Sequence, residues 1–409
     1  MNTTDKNKKQ NGESASGYPS ALKDIKYMKL ALKLAKKGAG TVSPNPLVGA
    51  VIEKNGKIIG TGYHRKAGMA HAEIEAFSSC RDKNALKGAV LYVTLEPCSI
   101  YGRTPPCTDA IINNKISRVV IATADPNPGI NGKGMEKLKL AGIEITSGIL
   151  RKSAEKQNEI FFKHITKGAP FITSKIAASL DGKTAAGTGS SKWITSEKSR
   201  CAAKKMRFEF DCILTGIGTV LADDPLLVPE GFKNLASLKN SGKKYLRAVL
   251  DSSLNIPATS KIAESSGNID TIIFISENLS GDRALKEKKK TLEEKGIKIA
   301  AVPGYGNNFL DLKKILKILH DRFEITSIFL ECGQTLFTEF LKNGLIDKFI
   351  FFVAPKLIGG DSGFGIVSSL GIRDVPEAPF LQIDSIKKSG QDIMITAYPG
   401  KEKSVYRSH

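Results

Sequence analysis

The chain has 409 residues, of which 41% are hydrophobic and 25% are charged, close to the average of folded globular proteins. This composition excludes a wholly disordered, fibrous or membrane-embedded chain, and the length predicts two or three domains. Lys and Arg exceed Asp and Glu by 20 charges, and the excess divides evenly, +10 in residues 1–150 and +10 in the rest. An even distribution favours a basic surface that meets small anions over one nucleic-acid-binding stripe.

The chain ends and the cysteines indicate the compartment. No run approaches the roughly 18 consecutive apolar residues of a membrane span, and residues 1–20 lack the apolar core of a secretory signal. Six cysteines are too sparse for a disulfide scaffold and are typical of a reducing compartment. We therefore expect a cytoplasmic protein without membrane association, with a disordered tail at residues 1–21 and a short tail at residues 401–409.

The first half of the chain alternates between helical and extended patterns. Apolar periodicity predicts a helix over residues 22–37, which ends at Gly38 and Gly40. Asn55 and Gly56 lie between two short apolar runs and predict a hairpin. The predicted strands are 47–53, 57–63, 89–95, 119–123 and 143–146, and the further helices are 71–80, 108–114 and 136–141. This alternation predicts a layered α/β domain over residues 22–149.

A charged, helical stretch over residues 150–169 is predicted to connect this domain to a second α/β domain over residues 170–400. Its predicted strands are 171–176, 212–215, 246–251, 271–275, 327–330 and 348–353, and its predicted helices are 196–208, 283–295, 310–322 and 335–343. The polar segment 231–244 is expected to be a surface loop. The two halves share no internal repeat.

The strongest chemical signal is His71-Ala72-Glu73, followed by Glu96-Pro97-Cys98 and then Cys107. One imidazole and two thiolates are donors that zinc prefers, and three protein ligands leave a fourth position open for water, as in catalytic sites. Zinc lowers the pKa of bound water, and a nearby carboxylate that is not a ligand can carry protons. We predict His71, Cys98 and Cys107 as zinc ligands and Glu73 as the catalytic proton carrier.

This set matches the signature of zinc-dependent deaminases, except that eight residues separate Cys98 from Cys107. The other four cysteines lack such neighbours and are expected to be core or surface thiols: Cys80, Cys201, Cys212 and Cys332.

The long spacer between the two cysteines belongs to a set of recognisable motifs. In the first half these are Asn45–Ala50, Thr94–Ser99, the spacer Ser99–Pro106, and Asp125–Pro128. In the second half they are Ser179–Lys183, Ser191–Ser196, Gly218–Pro225 and Ala354–Gly360. From about Met28 to Ala397, the chain closely resembles the bifunctional riboflavin biosynthesis deaminase–reductase family.

The resemblance implies a fold class, two activities and two cofactors. It implies a cytidine-deaminase-like layered α/β domain followed by a dihydrofolate-reductase-like α/β domain. The first would use one Zn²⁺ per chain to deaminate 2,5-diamino-6-(ribosylamino)-4(3H)-pyrimidinone 5′-phosphate. The second would use NADPH to reduce the ribosyl group, giving 5-amino-6-(ribitylamino)uracil 5′-phosphate. The partners would be this small ribotide and further copies of the chain in a homo-oligomer, with no nucleic acid and no membrane.

The resemblance also implies binding residues. Asn45 falls on a position near the pyrimidine of the deaminase substrate. The positions that contact NADPH correspond to Ala177, Trp193, Thr219, Asp223, Ser252, Gly333, Gln334 and Thr335. The positions that contact the reductase substrate correspond to Ser191, Arg207, Leu227 and Glu331. The turn 333–335 has a physical reason of its own, because a helix N-terminus suits a pyrophosphate. By contrast, Gly216-Ile217-Gly218 lacks the third glycine of a dinucleotide-binding fingerprint.

One departure from the family pattern affects the second domain. Three positions after Leu227, where the family usually has an arginine that meets the ribose phosphate, this chain has Glu230. The interpretations are that a lysine of the following insertion substitutes, that the phosphate is bound less tightly, or that the alignment slips there. The lysines in question are Lys233, Lys239, Lys243 and Lys244. Asp181 is expected either to stabilise a turn or to act on substrate, and no other catalytic acid of the reductase is evident.

Three alternative functions remain open at this point. The chain could be a deaminase with an inactive reductase domain, a nucleic-acid deaminase acting on transfer RNA, or a non-catalytic binding protein stabilised by zinc. A nucleic-acid deaminase must bind the phosphate backbone, so its affinity for RNA would fall steeply as the salt concentration rises.

Overall fold

A computed structural model describes residues 17–101, 105–231, 234–279, 283–305, 309–360 and 364–400. The chain divides into two compact units, Met1–Val42 with Pro46–Asn158, and Ser43–Asn45 with Glu159–His409. Within the described ranges, none of the helices combines the length and the hydropathy that crossing a membrane requires. Each unit is described by itself.

The first unit is built around one sheet. Its strands are β1 (Gly49–Lys54), β2 (Lys57–Tyr63), β3 (Val90–Val93), β4 (Arg118–Ile121) and β5 (Glu144–Ser147). Its helices are α1 (Gly17–Ala35), α2 (Ala72–Ser79), α3 (Cys107–Asn113), α4 (Lys133–Leu140) and α5 (Arg151–Gln157). The strand order is β2–β1–β3–β4–β5, antiparallel on both sides of β1 and parallel from β3 to β5.

Residues of the central strands are buried on both faces of this sheet, because side chains alternate between the faces along a strand. Ala50 and Ile52 of β1 belong to the core with α2, α3 and α4, whereas Val51 belongs to the core with α1 and α5. Helices therefore cover both faces, and the continuous apolar runs in the sequence are the cause.

The second unit contains a larger sheet. Its strands are β6 (Phe171–Ser179), β7 (Cys212–Gly216), β8 (Leu246–Leu250), β9 (Thr271–Ser276), β10 (Ile297–Val302), β13 (Ser327–Leu330), β14 (Lys348–Ala354), β15 (Leu381–Ser389) and β16 (Asp392–Pro399), with a small separate pair β11 (Gly304–Tyr305) and β12 (Phe309–Leu310). Its helices are α6 (Glu159–Lys167), α7 (Glu197–Met206), α8 (Ile217–Asp223), α9 (Leu235–Asn240), α10 (Lys261–Glu264), α11 (Arg283–Glu294), α12 (Leu312–Phe323) and α13 (Gln334–Lys342).

The order of the large sheet is β10–β9–β8–β7–β13–β6–β14–β16–β15. The seven strands from β10 to β14 are parallel, and the hairpin of β15 and β16 continues the sheet in antiparallel fashion. Because parallel strands run in one direction, their carboxyl ends all lie at the same edge of the sheet. Ligands of open α/β sheets bind at that edge.

The structure confirms the predicted layered α/β class in both units and corrects several elements. Helix α1 begins at Gly17, within the predicted tail, and the predicted loop 231–244 contains helix α9. The predicted connector forms α5 and α6, and the boundary between the units falls at Asn158. The β15–β16 hairpin was not predicted. Cys80 and Cys212 are core thiols as expected, whereas residues 1–16 and 401–409 of the predicted tails lie outside the described residues.

Candidate active sites

The structure brings the three predicted zinc ligands together. His71 immediately precedes α2, Cys98 lies in the loop after β3, and Cys107 is the first residue of α3. The Nδ1 atom of His71 lies 3.2 Å from Cys107 Sγ and 3.6 Å from Cys98 Sγ. All three ligand atoms lie within 4.8 Å of one another, and they form the one such cluster found among the described residues.

This donor set fits a zinc ion. Tetrahedral bonds of about 2.3 Å to sulfur and about 2.0 Å to nitrogen separate the ligand atoms by about 3.5 Å, close to the distances observed. Zinc takes thiolates, and the Cys98 and Cys107 side chains already share a hydrogen bond. That bond lowers the pKa of Cys98 to about 4 and raises the pKa of Cys107. The site therefore resembles a three-ligand zinc centre with a fourth position for water.

Glu73 lies in the first turn of α2, two residues after His71, and its side chain is buried. Burial raises the pKa of Glu73, and the negative charge of Cys98 raises it further. A carboxyl group whose pKa is raised holds a proton more readily than a free carboxylate, which suits a group that accepts a proton and then donates it. This placement supports the predicted role of Glu73, which remains a prediction.

A second buried carboxylate, Glu96, fixes the loop that carries Cys98. Its oxygens accept hydrogen bonds from the backbone N–H groups of Asp125, Gly132, Gly134 and Met135, at 2.9 to 3.2 Å. A Cβ atom on Gly134 would overlap the carbonyl oxygen of Pro97, next to Cys98. Sequence reasoning quoted Glu96 only as part of a motif, and its four N–H partners come from the loop before α4 and the first turn of α4, about 30 to 40 residues further along the chain.

Two further residues hold His71 in place. The ring of His64 meets the ring of His71 edge to face, with centroids 5.6 Å apart, and His64 Nδ1 donates to the carbonyl of Ala70 at 3.0 Å. Gly62 of β2 lies against α2, where a Cβ atom would overlap the carbonyl oxygen of Ala72. The helix that carries Glu73 therefore packs directly on the strand backbone. Sequence reasoning missed both residues.

The predicted cofactor and substrate residues of the second unit cluster at the carboxyl edge of its parallel strands. Ala177 lies near the end of β6, Thr219 and Asp223 lie in α8 directly after β7, and Ser252 follows β8. The turn 333–335 follows β13, which lies between β7 and β6 in the sheet. The edge is the one at which the fold predicts a ligand site.

Glu331 is the centre of a buried ion cluster at this edge. Arg207 Nε lies 2.5 Å and Lys175 Nζ 3.1 Å from its carboxylate oxygens. Burial alone would raise the pKa of Glu331, but Arg207 and Lys175 outweigh burial and lower it to about 2. The fork of Arg207 is thus directed at Glu331. Lys175 was missed, although a lysine within the apolar strand β6 is a signal, because lysine is rarely buried without a partner.

The segment 191–196 brings further predicted residues together. Ser191 Oγ lies 3.4 Å from Asp223 Oδ1, and Lys192 Nζ lies 3.8 Å from the same atom. The ring of Trp193 is 61% exposed, with the guanidinium of Arg200 4.2 Å from its centroid. An exposed tryptophan is not part of the core, and its open aromatic surface fits a planar cofactor ring.

The turn before α13 also fits a dinucleotide. Gly333 is the N-cap of this nine-residue helix, and a Cβ atom there would meet nothing within 4 Å. The buried Gln334 Oε1 and Thr215 Oγ1 have no hydrogen-bond partner among the described residues. Polar atoms buried without a partner are costly, so a polar ligand at this edge would satisfy them. Free N–H groups of a helix N-terminus suit phosphate.

The structure bears only in part on the sequence predictions for Asp181, Asn45 and Glu230. Asp181 accepts hydrogen bonds from the hydroxyl of Ser179 within its own turn and from the N–H groups of Ile358 at 3.1 Å and Gly359 at 2.7 Å in the loop after β14. It therefore links the turn to that loop, and its role in the reaction stays a prediction. Asn45 is half-buried in the segment that groups with the second unit, and its role at the pyrimidine stays a prediction. Glu230 is exposed, whereas Lys233 and the side chain of Lys239 lie outside what the structure describes. Lys244 pairs with Glu324 at 3.0 Å, and Lys243 Nζ lies 5.0 Å from the ring centroid of Phe208, so the contact of either lysine with the phosphate stays a prediction.

Two family models match the chain, and together they span both units. Residues 22–123 match the cytidine and deoxycytidylate deaminase zinc-binding region, and residues 170–395 match the RibD C-terminal domain. The second match alone covers more than half of the chain.

Individual relatives agree with these models over almost the whole length. The chain is 44% identical to the riboflavin biosynthesis protein RibD of Aquifex aeolicus, over 91% of this chain and 97% of the relative. It is 41% identical to that of Bacillus amyloliquefaciens, over 93% and 99%. Among solved structures, Acinetobacter baumannii RibD superimposes with a TM-score of 0.79 at 34% identity, covering 93% of this chain and all of that one. The diaminohydroxyphosphoribosylaminopyrimidine deaminase/5-amino-6-(5-phosphoribosylamino)uracil reductase of Thermotoga maritima gives 0.78 at 35% identity, with the same coverage.

Proposed function

The chain belongs to the RibD family and is a bifunctional zinc deaminase and reductase of riboflavin biosynthesis, and from that premise we propose which of its residues perform the two reactions. The observation that carries the proposal is the cluster of His71, Cys98 and Cys107 beside the buried Glu73. Its substrate would be the diaminopyrimidine ribotide after which the Thermotoga relative is named. The uracil ribotide formed would be the substrate of the reductase.

In the deaminase, His71, Cys98 and Cys107 hold the zinc ion, which when bound supplies a Lewis acid that activates water. Glu73 accepts the proton that this water loses on attacking the ring carbon. Glu73 then delivers this proton to the ring nitrogen, takes a second proton from the hydroxyl group added to the ring carbon, and passes that second proton to the departing amine, which leaves as ammonia. Asn45 would orient the pyrimidine. Glu96 and His64 act through the ligands, because each holds a segment that carries one of them.

In the reductase, the carboxyl edge of the parallel strands binds NADPH, which when bound supplies the hydride. The exposed Trp193, together with Ala177, Thr219, Asp223 and Ser252, would hold the cofactor, and the turn Gly333–Thr335 would hold its pyrophosphate. Ser191, Arg207, Leu227 and Glu331 would position the ribosyl group of the substrate. The side chain of Lys175 forms an ion pair with Glu331, and its ammonium group would provide a proton donor beside the ribosyl group.

Wild-type protein loaded with zinc is expected to release ammonia from the diaminopyrimidine ribotide and, with NADPH present, to oxidise NADPH afterwards. Both signals are measured in one reaction, by ammonia detection and by absorbance of NADPH. If the protein releases ammonia but does not oxidise NADPH, even when the deaminated ribotide is supplied, the chain is a deaminase with an inactive second domain. Deamination of transfer RNA instead of the ribotide would contradict the proposal as a whole.

We further propose that the chain self-associates through the β15–β16 hairpin. Among the described residues β15 is the edge strand of the large sheet, and Ile383, Ile386 and Ile393 on this hairpin are 41–61% exposed. Exposed apolar side chains on an edge strand mark an interaction surface. Replacing Ile383 and Ile386 by lysine is expected to shift the protein towards monomers in sedimentation velocity experiments. Leu140→Lys provides the control, because Leu140 is 84% exposed but lies on helix α4 and not on a sheet edge. An unchanged sedimentation coefficient of the double variant would exclude this surface.

A cytoplasmic location is proposed as well. All six cysteines are free thiols, as is usual in a reducing compartment.

A further inference from the structure

The carbonyl groups of three consecutive residues in the second unit each accept a hydrogen bond from a different side chain. These bonds run from Arg247 Nη1 to Leu226 at 3.1 Å, from Tyr245 Oη to Leu227 at 3.0 Å, and from Arg207 Nη1 to Val228 at 3.0 Å. Tyr245 precedes β8 and is 7% exposed, and Arg247 lies within β8 and is fully buried. The segment 226–228 is therefore fixed to the interior of its unit.

Arg247 has no other evident task than to hold neighbouring segments. Its five N–H groups bond only to neutral oxygens: Thr271 Oγ1, Ser265 Oγ and the carbonyls of Leu226 and Ile262. Burial lowers the pKa of Arg247 to about 10, so the side chain stays charged at neutral pH. Burying a charge among neutral groups is costly, and a well-packed apolar residue would serve a purely structural role at lower cost.

The direction of the carbonyls fixes the direction of the N–H groups. In a trans peptide the C=O and the following N–H point in opposite directions. The N–H of Leu227 therefore points away from Arg247, and the N–H of Val228 points away from Tyr245. Within the part of the chain that the structure describes, neither N–H has an acceptor. Leu227 has φ of +50°, and successive N–H groups at such a left-handed residue form a concave site for an anion.

We propose that Tyr245 and Arg247 are positioning residues of the reductase, which turn the N–H groups of Leu227 and Val228 towards the phosphate of its substrate. The inference rests on the proposed function, in which Leu227 contacts the substrate. That substrate is a phosphoribosylaminouracil, named for the Thermotoga relative, and it carries its charge on the phosphate. The exposed side chain of Glu230 has the wrong sign for this group, so the backbone supplies the donors in this segment.

The experiment uses full-length protein with Tyr245→Phe, which removes one oxygen and keeps the ring. NADPH oxidation is measured with the uracil ribotide and with the same compound lacking its phosphate. In the variant, the ratio of kcat/KM for the two compounds is expected to fall about tenfold, the effect of about one hydrogen bond. The loss should lie in the KM for the ribotide, whereas kcat stays within about twofold. The Kd for NADPH and the release of ammonia should not change.

Tyr398→Phe is the matched control, because it removes the same atom from a tyrosine of the same unit, whose hydroxyl donates to Glu159 at 2.7 Å. Its phosphate preference should equal that of wild type.

Arg247→Lys keeps the positive charge but loses the forked guanidinium, and it should shift the phosphate preference in the same direction as Tyr245→Phe. If Arg247→Lys fails to fold, Tyr245→Phe decides. An unchanged preference in Tyr245→Phe, or an equal loss with both compounds, overturns the inference. Absence of NADPH oxidation by wild type would overturn the proposed function instead.

Discussion

Glu73→Gln protein is expected to release ammonia at least 10²-fold more slowly than wild type while it keeps one zinc per chain. The substitution preserves the shape of a buried side chain but removes the group that accepts and delivers protons, and such proton transfer contributes about 10² to 10⁴-fold to a rate. The ligands His71, Cys98 and Cys107 are untouched. The measurements are ammonia release from the diaminopyrimidine ribotide and metal content by atomic emission.

The other half of the chain provides an internal control for this variant. With the uracil ribotide supplied, NADPH oxidation by Glu73→Gln should match that of wild type. Glu75→Gln is a matched control in the same helix, because Glu75 is half-buried and pairs with Arg65 at 3.0 Å. Normal ammonia release by zinc-loaded Glu73→Gln would refute the proton-carrier role. Loss of zinc would show that the carboxylate holds the metal or its surroundings instead.

Glu331→Gln is expected to abolish NADPH oxidation and to lower the free energy of unfolding. Without the carboxylate, the charges of Arg207 and Lys175 remain buried and uncompensated, and breaking such a buried cluster costs about 3–5 kcal/mol. The segment that Arg207 binds through Val228 would also lose its position. The measurements are NADPH oxidation with the uracil ribotide and the urea midpoint of unfolding. The Glu331→Gln protein should still release ammonia at urea concentrations below its midpoint of unfolding.

The contribution of this ion cluster to stability decreases at low pH. The pKa of Glu331 is lowered from 4.5 to about 2 in the folded protein, so its contribution to stability is complete above about 4.5 and is lost as the pH falls towards 2. Glu277→Gln is the matched control, because Glu277 and Lys314 form an exposed pair at 3.3 Å, and such pairs contribute at most about 1 kcal/mol. Equal urea midpoints for Glu331→Gln and wild type would contradict the assigned cluster.

The buried strands and the zinc ligands were predictable from the sequence because local patterns determine both. The apolar runs at 171–176 and 271–275 appear as buried strands β6 and β9, and the types and order of His71, Cys98 and Cys107 already indicated one site. The β15–β16 hairpin escaped prediction since most of the side chains of β15 are exposed and give no alternating apolar signal.

The supporting contacts of both sites were not predictable, because they join residues far apart in the chain. Nothing near Glu96 in the sequence shows that N–H groups of residues 125–135 will surround it. In the same way, the partners of Glu331 lie 124 residues away at Arg207 and on another strand at Lys175. Residue types indicate which chemistry is possible, whereas only the folded chain shows what holds the reacting groups in place.

Gly62 and Gly134 have a consequence for how this protein tolerates mutation. Neither residue has a side chain, yet a single methyl at Gly62 would collide with the helix that begins beside His71, and one at Gly134 with the loop that precedes Cys98. Each alanine would thus displace a ligand that it never touches. Genetic screens that recover chains defective in only one of the two activities should therefore find these glycines alongside the metal ligands, although neither residue takes part in the chemistry.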